Sequence, residues 1–167
     1  MTHIKDHYSF GRIAAPNQWN SVPDEIIAND EPVDYSYDNA DEKRALHTLI
    51  RNIRLSTYTP DAGRDAWCAN AEGDCEDKCL HLIERYRGHA LFSSLRLAIC
   101  ELKSTVQHAV LLLYTVDGTK VIDPTLSTLA VDWEKYPVNK WLIRHRNGHL
   151  WENFKPPLAT ESPPTDQ

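Results

Sequence analysis

The longest apolar run in this chain, Ala109–Tyr114, is only six residues, against about 18 for a membrane-spanning helix. No such span is expected. Basic charge is scarce as well: 18 Lys and Arg against 24 Asp and Glu give a net charge of −6 and a pI of about 5.7. Phosphate recognition needs a basic face, so neither nucleic acid nor an anionic membrane is an expected partner. Met1–Phe10 has no basic start followed by an apolar core. No secretory signal is visible, and the expected location is the cytoplasm, or the periplasm if an export signal has been trimmed. The four cysteines, Cys68, Cys75, Cys79 and Cys100, contain no C-x-x-C pair. Structural zinc fits that spacing poorly, even with His81 as a fourth ligand. The expectation is buried thiols that act as small core residues.

What is present describes one domain. A chain of 167 residues with 41% hydrophobic and 25% charged residues is globular and buries about two-thirds of its unfolded surface without staples. Residues 1–40 read as an irregular arm, punctuated by Pro16, Pro23 and Pro32 and rich in acids from Asp24. The domain proper is expected over 41–155, and 156–167 is a polar tail with Pro156, Pro157, Pro163 and Pro164. Leu46, Leu49, Ile50 and Ile53 recur at helical spacing, which predicts a helix over Arg44–Arg54 capped by Asp41. A second helix is predicted to start at Cys75, with Asp74 as cap and Asp77 completing a capping box. Cys79, Leu82, Ile83 and Tyr86 form its inward stripe, and Gly88 ends it.

The period then becomes extended. Leu95–Ile99, Ala109–Val116 and Thr119–Ile122 read as strands, the last two joined by the turn signal Asp117-Gly118. One or two more strands are expected between Val131 and Phe154. Helices first and an antiparallel sheet later make the fold class α+β.

Three residues carry candidate chemistry. Cys75 stands at a predicted helix N-terminus, where partial positive charge and free N–H groups favour a thiolate. Asp74, Glu76 and Asp77 flank it and oppose that effect. On electrostatics alone it is a mediocre nucleophile, in need of an imidazolium partner or a cation that neutralises the acids. His108 begins the most apolar strand, and Asp123 ends the next one. Singly, each has a plain reading, a half-exposed strand-end histidine and a turn-opening Asp before Pro124. Together they make a nucleophile, a base and an orienting group. A two-residue turn at Asp117-Gly118 pairs position 112 with 123 and sets His108 and Asp123 on one face. It also leaves them roughly 13 Å apart along the strand. Their meeting requires a bulge or a turn centred nearer Thr115, and a distorted hairpin is expected.

Gly73-Asp74-Cys75-Glu76-Asp77 resembles the nucleophile motif of the bacterial transglutaminase-like cysteine proteinases. His108-Ala109-Val110-Leu111 and Val121-Ile122-Asp123 resemble the histidine and aspartate blocks of that family, and Asp123-Pro124-Thr125 is similar to a common ending of the latter. Tyr58, Asp61 and Asp65-Ala66-Trp67 resemble the segment leading into the cysteine helix. The likeness runs from about Ala45 to Thr128. The gap from Trp67 to Cys75 is shorter than in the family, and Cys79 replaces a small residue.

The resemblance implies a papain-like core in which Cys75 is nucleophile, His108 general base and then acid, and Asp123 the orienter. The Cys75 backbone N–H would serve an oxyanion hole. As second donor, Gln107 points to the wrong strand face and the Trp67 indole is an alternative to core packing. Relatives that cleave adhesins bind calcium through acids beside the cysteine, which implies Asp74, Glu76 and Asp77 here, with Glu76 turned away from the other two on a helix. The same acids also suit a helix start. No organic cofactor is implied. The expected function is cleavage of a peptide or amide bond in a protein or peptide substrate. Acyl transfer to an amine and a binding protein without turnover are the alternatives.

Overall fold

The fold is described from a computed structural model over residues 34–36, 39–60, 68–126, 130–147 and 150–152. The Leu-Ile stripe builds helix α1, Ala40–Leu55, and buries Leu46, Ile50 and Ile53. Asn39, not Asp41, is its cap. The Asn39 side chain accepts from the amides of Asp41 and Glu42 at 2.8 and 3.2 Å, so the helix starts earlier than expected and Asp41 falls in a first turn that favours acids. Helix α2, Cys75–Arg85, begins at the predicted residue. Its start is not the expected capping box: Asp74 makes no side-chain cap bond, and a carboxylate oxygen of Asp77 accepts from the amide of Cys68 at 2.8 Å.

A one-turn 3-10 helix, Ala90–Ser94, leads into a sheet of strands β1 (Leu95–Leu102), β2 (Gln107–Thr115), β3 (Gly118–Ile122), β4 (Val131–Asp132), β5 (Val138–Asn147) and β6 (Leu150–Glu152). The six strands lie in the order β4-β3-β2-β1-β5-β6, and every pairing is antiparallel. The expectation of one or two strands after Val131 was too low; β4, β5 and β6 all lie there.

Both faces of the central strands are covered, which is why Ala109–Tyr114 reads as a continuous apolar run rather than an alternating one. Leu97, Ile99, Ala109, Leu111, Leu113 and Ile122 pack with the stripes of α1 and α2. Ala98, Cys100, Val110, Leu112 and Val121 pack on the other side with Tyr136, Trp133 and Trp141. Among the described residues no helix is long and apolar enough to cross a membrane. The expected arm lies almost wholly outside the described residues. At Tyr35 it forms a parallel bridge to Thr115, and the Tyr35 hydroxyl donates to Glu42. The expected tail at 156–167 and the candidate donor Trp67 lie outside the described residues.

Candidate active site

The site is built where β3 ends and leaves the edge of β2 open to the start of α2. A buried lysine holds that helix in place. Lys78 is 1% exposed, and its ammonium donates to the carbonyls of Ile53, Ser56, Thr57 and Ala71 at 2.6–3.3 Å. It thereby ties the end of α1, where the Ile53 carbonyl also accepts from the Ser56 amide at 3.1 Å, to the loop that delivers Cys75. Burial lowers the Lys78 pKa. Gly73 is needed in the same loop, since a Cβ there would lie 2.4 Å from the Cβ of Asp77.

Cys75 is half-buried, and its sulfur approaches a carboxyl oxygen of Glu76 at 3.1 Å. Burial pushes the thiol pKa well up, and the charge of Glu76, the hydrogen bond to it and the charge of Asp74 add to the rise. A hydrogen bond from the backbone amide of Ala109 works the other way. Burial first, and the flanking acids Glu76 and Asp74 after it, therefore outweigh the helix terminus and disfavour the thiolate. The Ala109 amide places the sulfur beside the strand position that follows His108. Glu76 is itself pushed up to about 8, chiefly by burial, with the Asp74 charge and a hydrogen bond to Asp74 contributing.

His108 and Asp123 meet. The imidazole Nε2 lies 2.9 Å from Oδ2 of Asp123, with both side chains buried. The expected bulge is absent from the β2–β3 register. Instead the turn sits one position earlier, pairing Thr115 with Gly118 and Leu111 with Ile122. Continued by one step, that register sets Asp123 opposite Val110, only two residues from His108, and a diagonal separation of that kind is within side-chain reach. Asp123 Oδ1 accepts from the amides of Thr125 and Leu126 at 2.9 and 3.0 Å. Burial works to raise its pKa but is outweighed by the hydrogen bond and charge of His108, by the Tyr136 hydroxyl and by the Leu126 amide, so the pKa ends below the ordinary value. Asp123 is thus an ionised acceptor that holds Nε2 and leaves Nδ1 as the ring nitrogen that Asp123 does not engage.

The sequence drew attention to neither Lys78 nor Tyr136. Tyr136 donates its hydroxyl to Asp123 Oδ2 and stacks on Trp141. An open cavity of about 420 Å³ lies next to it, between Trp133 and Trp141. That cavity is on the Asp123 side of the site and is not lined by Cys75. A lysine among the inward positions of α2 was a readable signal; a tyrosine thirteen residues beyond Asp123 was not.

No family model and no curated protein sequence matches the chain. Solved structures do. Calcium-bound Legionella pneumophila LapG is 15% identical with a TM-score of 0.53, over 98% of this chain and 94% of that one. EGTA-treated LapG is also 15% identical with a TM-score of 0.56, over 93% and 87%. The fold is transglutaminase-like. In this transglutaminase-like fold Cys75 opens the helix that packs on the sheet, and the His108–Asp123 pair lies on adjacent strand ends. The three acids around Cys75 divide: Asp74 and Glu76 meet side chain to side chain, while Asp77 faces Cys68. Among the described residues no three His, Cys, Asp or Glu side chains converge as a metal shell.

Proposed function

We propose that the chain is a thiol hydrolase of the transglutaminase-like cysteine peptidase kind, which cleaves a peptide or amide bond through Cys75, His108 and Asp123. The buried 2.9 Å contact between His108 and Asp123, beside a cysteine at a helix N-terminus, carries this reading. Either residue alone has a structural role available. A histidine held through Nε2 by an ionised acid, on the strand whose next residue hydrogen-bonds the Cys75 thiol, supplies the base and the orienting group that nucleophilic catalysis requires.

His108 takes the Cys75 proton as the sulfur attacks the scissile carbonyl. The Cys75 backbone N–H, free at the first turn of α2, donates to the oxygen on which negative charge builds. His108 then returns the proton to the leaving amine as the C–N bond breaks and a thioester remains. Water, deprotonated by His108, attacks the thioester; the acid leaves and the thiol is restored. Asp123 fixes the ring and offsets its positive charge at each stage.

Calcium enters the proposal in reduced form. LapG has been solved calcium-bound and EGTA-treated, and the paired carboxyls of Asp74 and Glu76 are hard oxygen donors of the kind calcium takes. They are the two residues here that would hold it, whereas Asp77 is engaged elsewhere. A cation there would offset the charges of Glu76 and Asp74 that add to burial in raising the Cys75 pKa. A peptide library incubated with the full chain, with and without a primary amine, tests the function. Cleavage that is lost in Cys75→Ala, without incorporation of the amine, is expected. No turnover under either condition defeats the hydrolase reading, and amine incorporation replaces it with acyl transfer.

A further inference from the structure

We propose that Tyr136 is a positioning residue for this reaction, holding Asp123 ionised and aimed at His108; the role rests on the hydrolase reading above. Asp123 is 1% exposed, and a carboxylate so buried is tolerated only when its oxygens are served by donors. The two backbone amides on Oδ1 belong to the turn that follows β3 and would serve any turn-opening Asp. Oδ2 is different. It holds the imidazole Nε2 of His108 and the hydroxyl of Tyr136 together. The phenol thus ends on the one oxygen through which Asp123 acts on the ring.

The tyrosine is rigidly presented. It is 8% exposed and directly follows the short 3-10 turn Trp133–Lys135. Its backbone amide donates to the Trp133 carbonyl at 3.3 Å, and its ring stacks on Trp141 with centroids 6.1 Å apart and planes at 29°. Burial and the negative charge of Asp123 both push the phenol pKa up, so it stays a donor. The titratable groups that face this pair are His108 from β2, Cys100 from β1 and Cys79 from α2. Burial holds both thiols neutral. His108 is the one charge among them that acts on Asp123, and it is present in every variant compared, so a change in the Asp123 titration between variants reports the loss of the hydroxyl.

Tyr136→Phe removes one hydrogen bond to an ionised group, which raises the Asp123 pKa by about one unit. The acid limb of the hydrolysis profile should move up with it. Turnover should fall about tenfold near the acid limb while the apparent KM holds, because the hydroxyl touches Asp123 and not the substrate. The test follows the carboxyl carbon of Asp123 by NMR across pH in the full-length wild type, Tyr136→Phe and Trp141→Phe, alongside hydrolysis of fluorescent casein. Trp141→Phe removes the stacking partner but keeps the hydroxyl, and should leave the titration in place. An unmoved titration in folded Tyr136→Phe, or equal movement in both variants, overturns the proposal and leaves Tyr136 as packing. If Tyr136→Phe does not fold, 2,6-difluorotyrosine at 136 replaces it. That stronger donor should move the titration down, and no movement is again fatal. Wild type that fails to cleave casein counts against the hydrolase reading, while the titration, read without turnover, still decides the hold on Asp123.

Discussion

Replacing Glu76 with Gln should stabilise the metal-free protein at neutral pH and, above pH 8, quicken alkylation of Cys75. Glu76 is 6% exposed, and burial lifts its pKa from 4.5 to about 8. Between those values the folded chain keeps a proton that the unfolded chain has released, so stability must fall as pH rises. The stabilising effect of that proton is complete below 4.5 and is lost progressively toward about 8. By pH 7 the loss amounts to about 3 kcal/mol, at about 1.4 kcal/mol per pH unit above 4.5. Gln copies the protonated carboxyl in size and hydrogen-bonding capacity without titrating. It should recover about 1–3 kcal/mol of this at pH 7. Urea unfolding in EGTA from pH 5 to pH 8.5 is the assay. Wild type should weaken across that range, the variant should stay nearly level, and the gap should widen with pH. Above pH 8, where Glu76 is charged, iodoacetamide should also react faster with Cys75 in the variant than in wild type, since that charge raises the thiol pKa. A gap that closes or reverses as pH rises refutes the reasoning.

Asp123→Asn should keep the fold, lower peptide cleavage by roughly three orders of magnitude, and abolish the acid-side loss of stability that a depressed carboxyl confers as pH falls through its folded value. Unchanged cleavage by the purified variant would remove Asp123 from the mechanism. Gly73→Ala forces a Cβ to within 2.4 Å of the Asp77 Cβ and should cost about 1–3 kcal/mol in urea unfolding; wild-type stability would mean that the loop moves freely. Calcium should raise the melting temperature over EGTA-treated protein more than magnesium does, and Glu76→Gln should blunt the difference. Identical melting curves in calcium and EGTA would return Asp74 and Glu76 to the role of helix-end acids.

The local signals were legible where the chain itself decides the structure. The α1 stripe, the start of α2 at Cys75 and the strand character around β1 to β3 all follow from periodicity and turn residues. The hairpin was misplaced by one position because Asp117-Gly118 looks like a two-residue turn. In the protein, Thr115 Oγ1 donates to the Gly118 carbonyl at 2.7 Å and accepts from the Asp117 amide. That hydroxyl draws the turn back to Val116 and Asp117, with Gly118 at φ 111° opening β3. The correction is what lets His108 reach Asp123. Asp74 and Asp77 looked like a capping box because they are acids at the right spacing. The fold of the preceding loop sends Asp77 to Cys68 instead. Lys78 could be noticed as a charge among the inward positions of α2, but its partners, such as the Ile53 carbonyl, and the pairing of Tyr136 with Asp123 are set only by tertiary packing.

The central claim is that Cys75 is a nucleophile served by His108. Reaction of the folded protein with a peptidyl acyloxymethyl ketone, followed by mass-spectrometric mapping of the adduct, tests it most directly. The account predicts a single adduct on Cys75, absent in Cys75→Ala and formed at least tenfold more slowly in His108→Ala, with the more exposed Cys68 unmodified. An adduct on Cys68 or Cys100, or labelling of Cys75 at the same rate without His108, would contradict it.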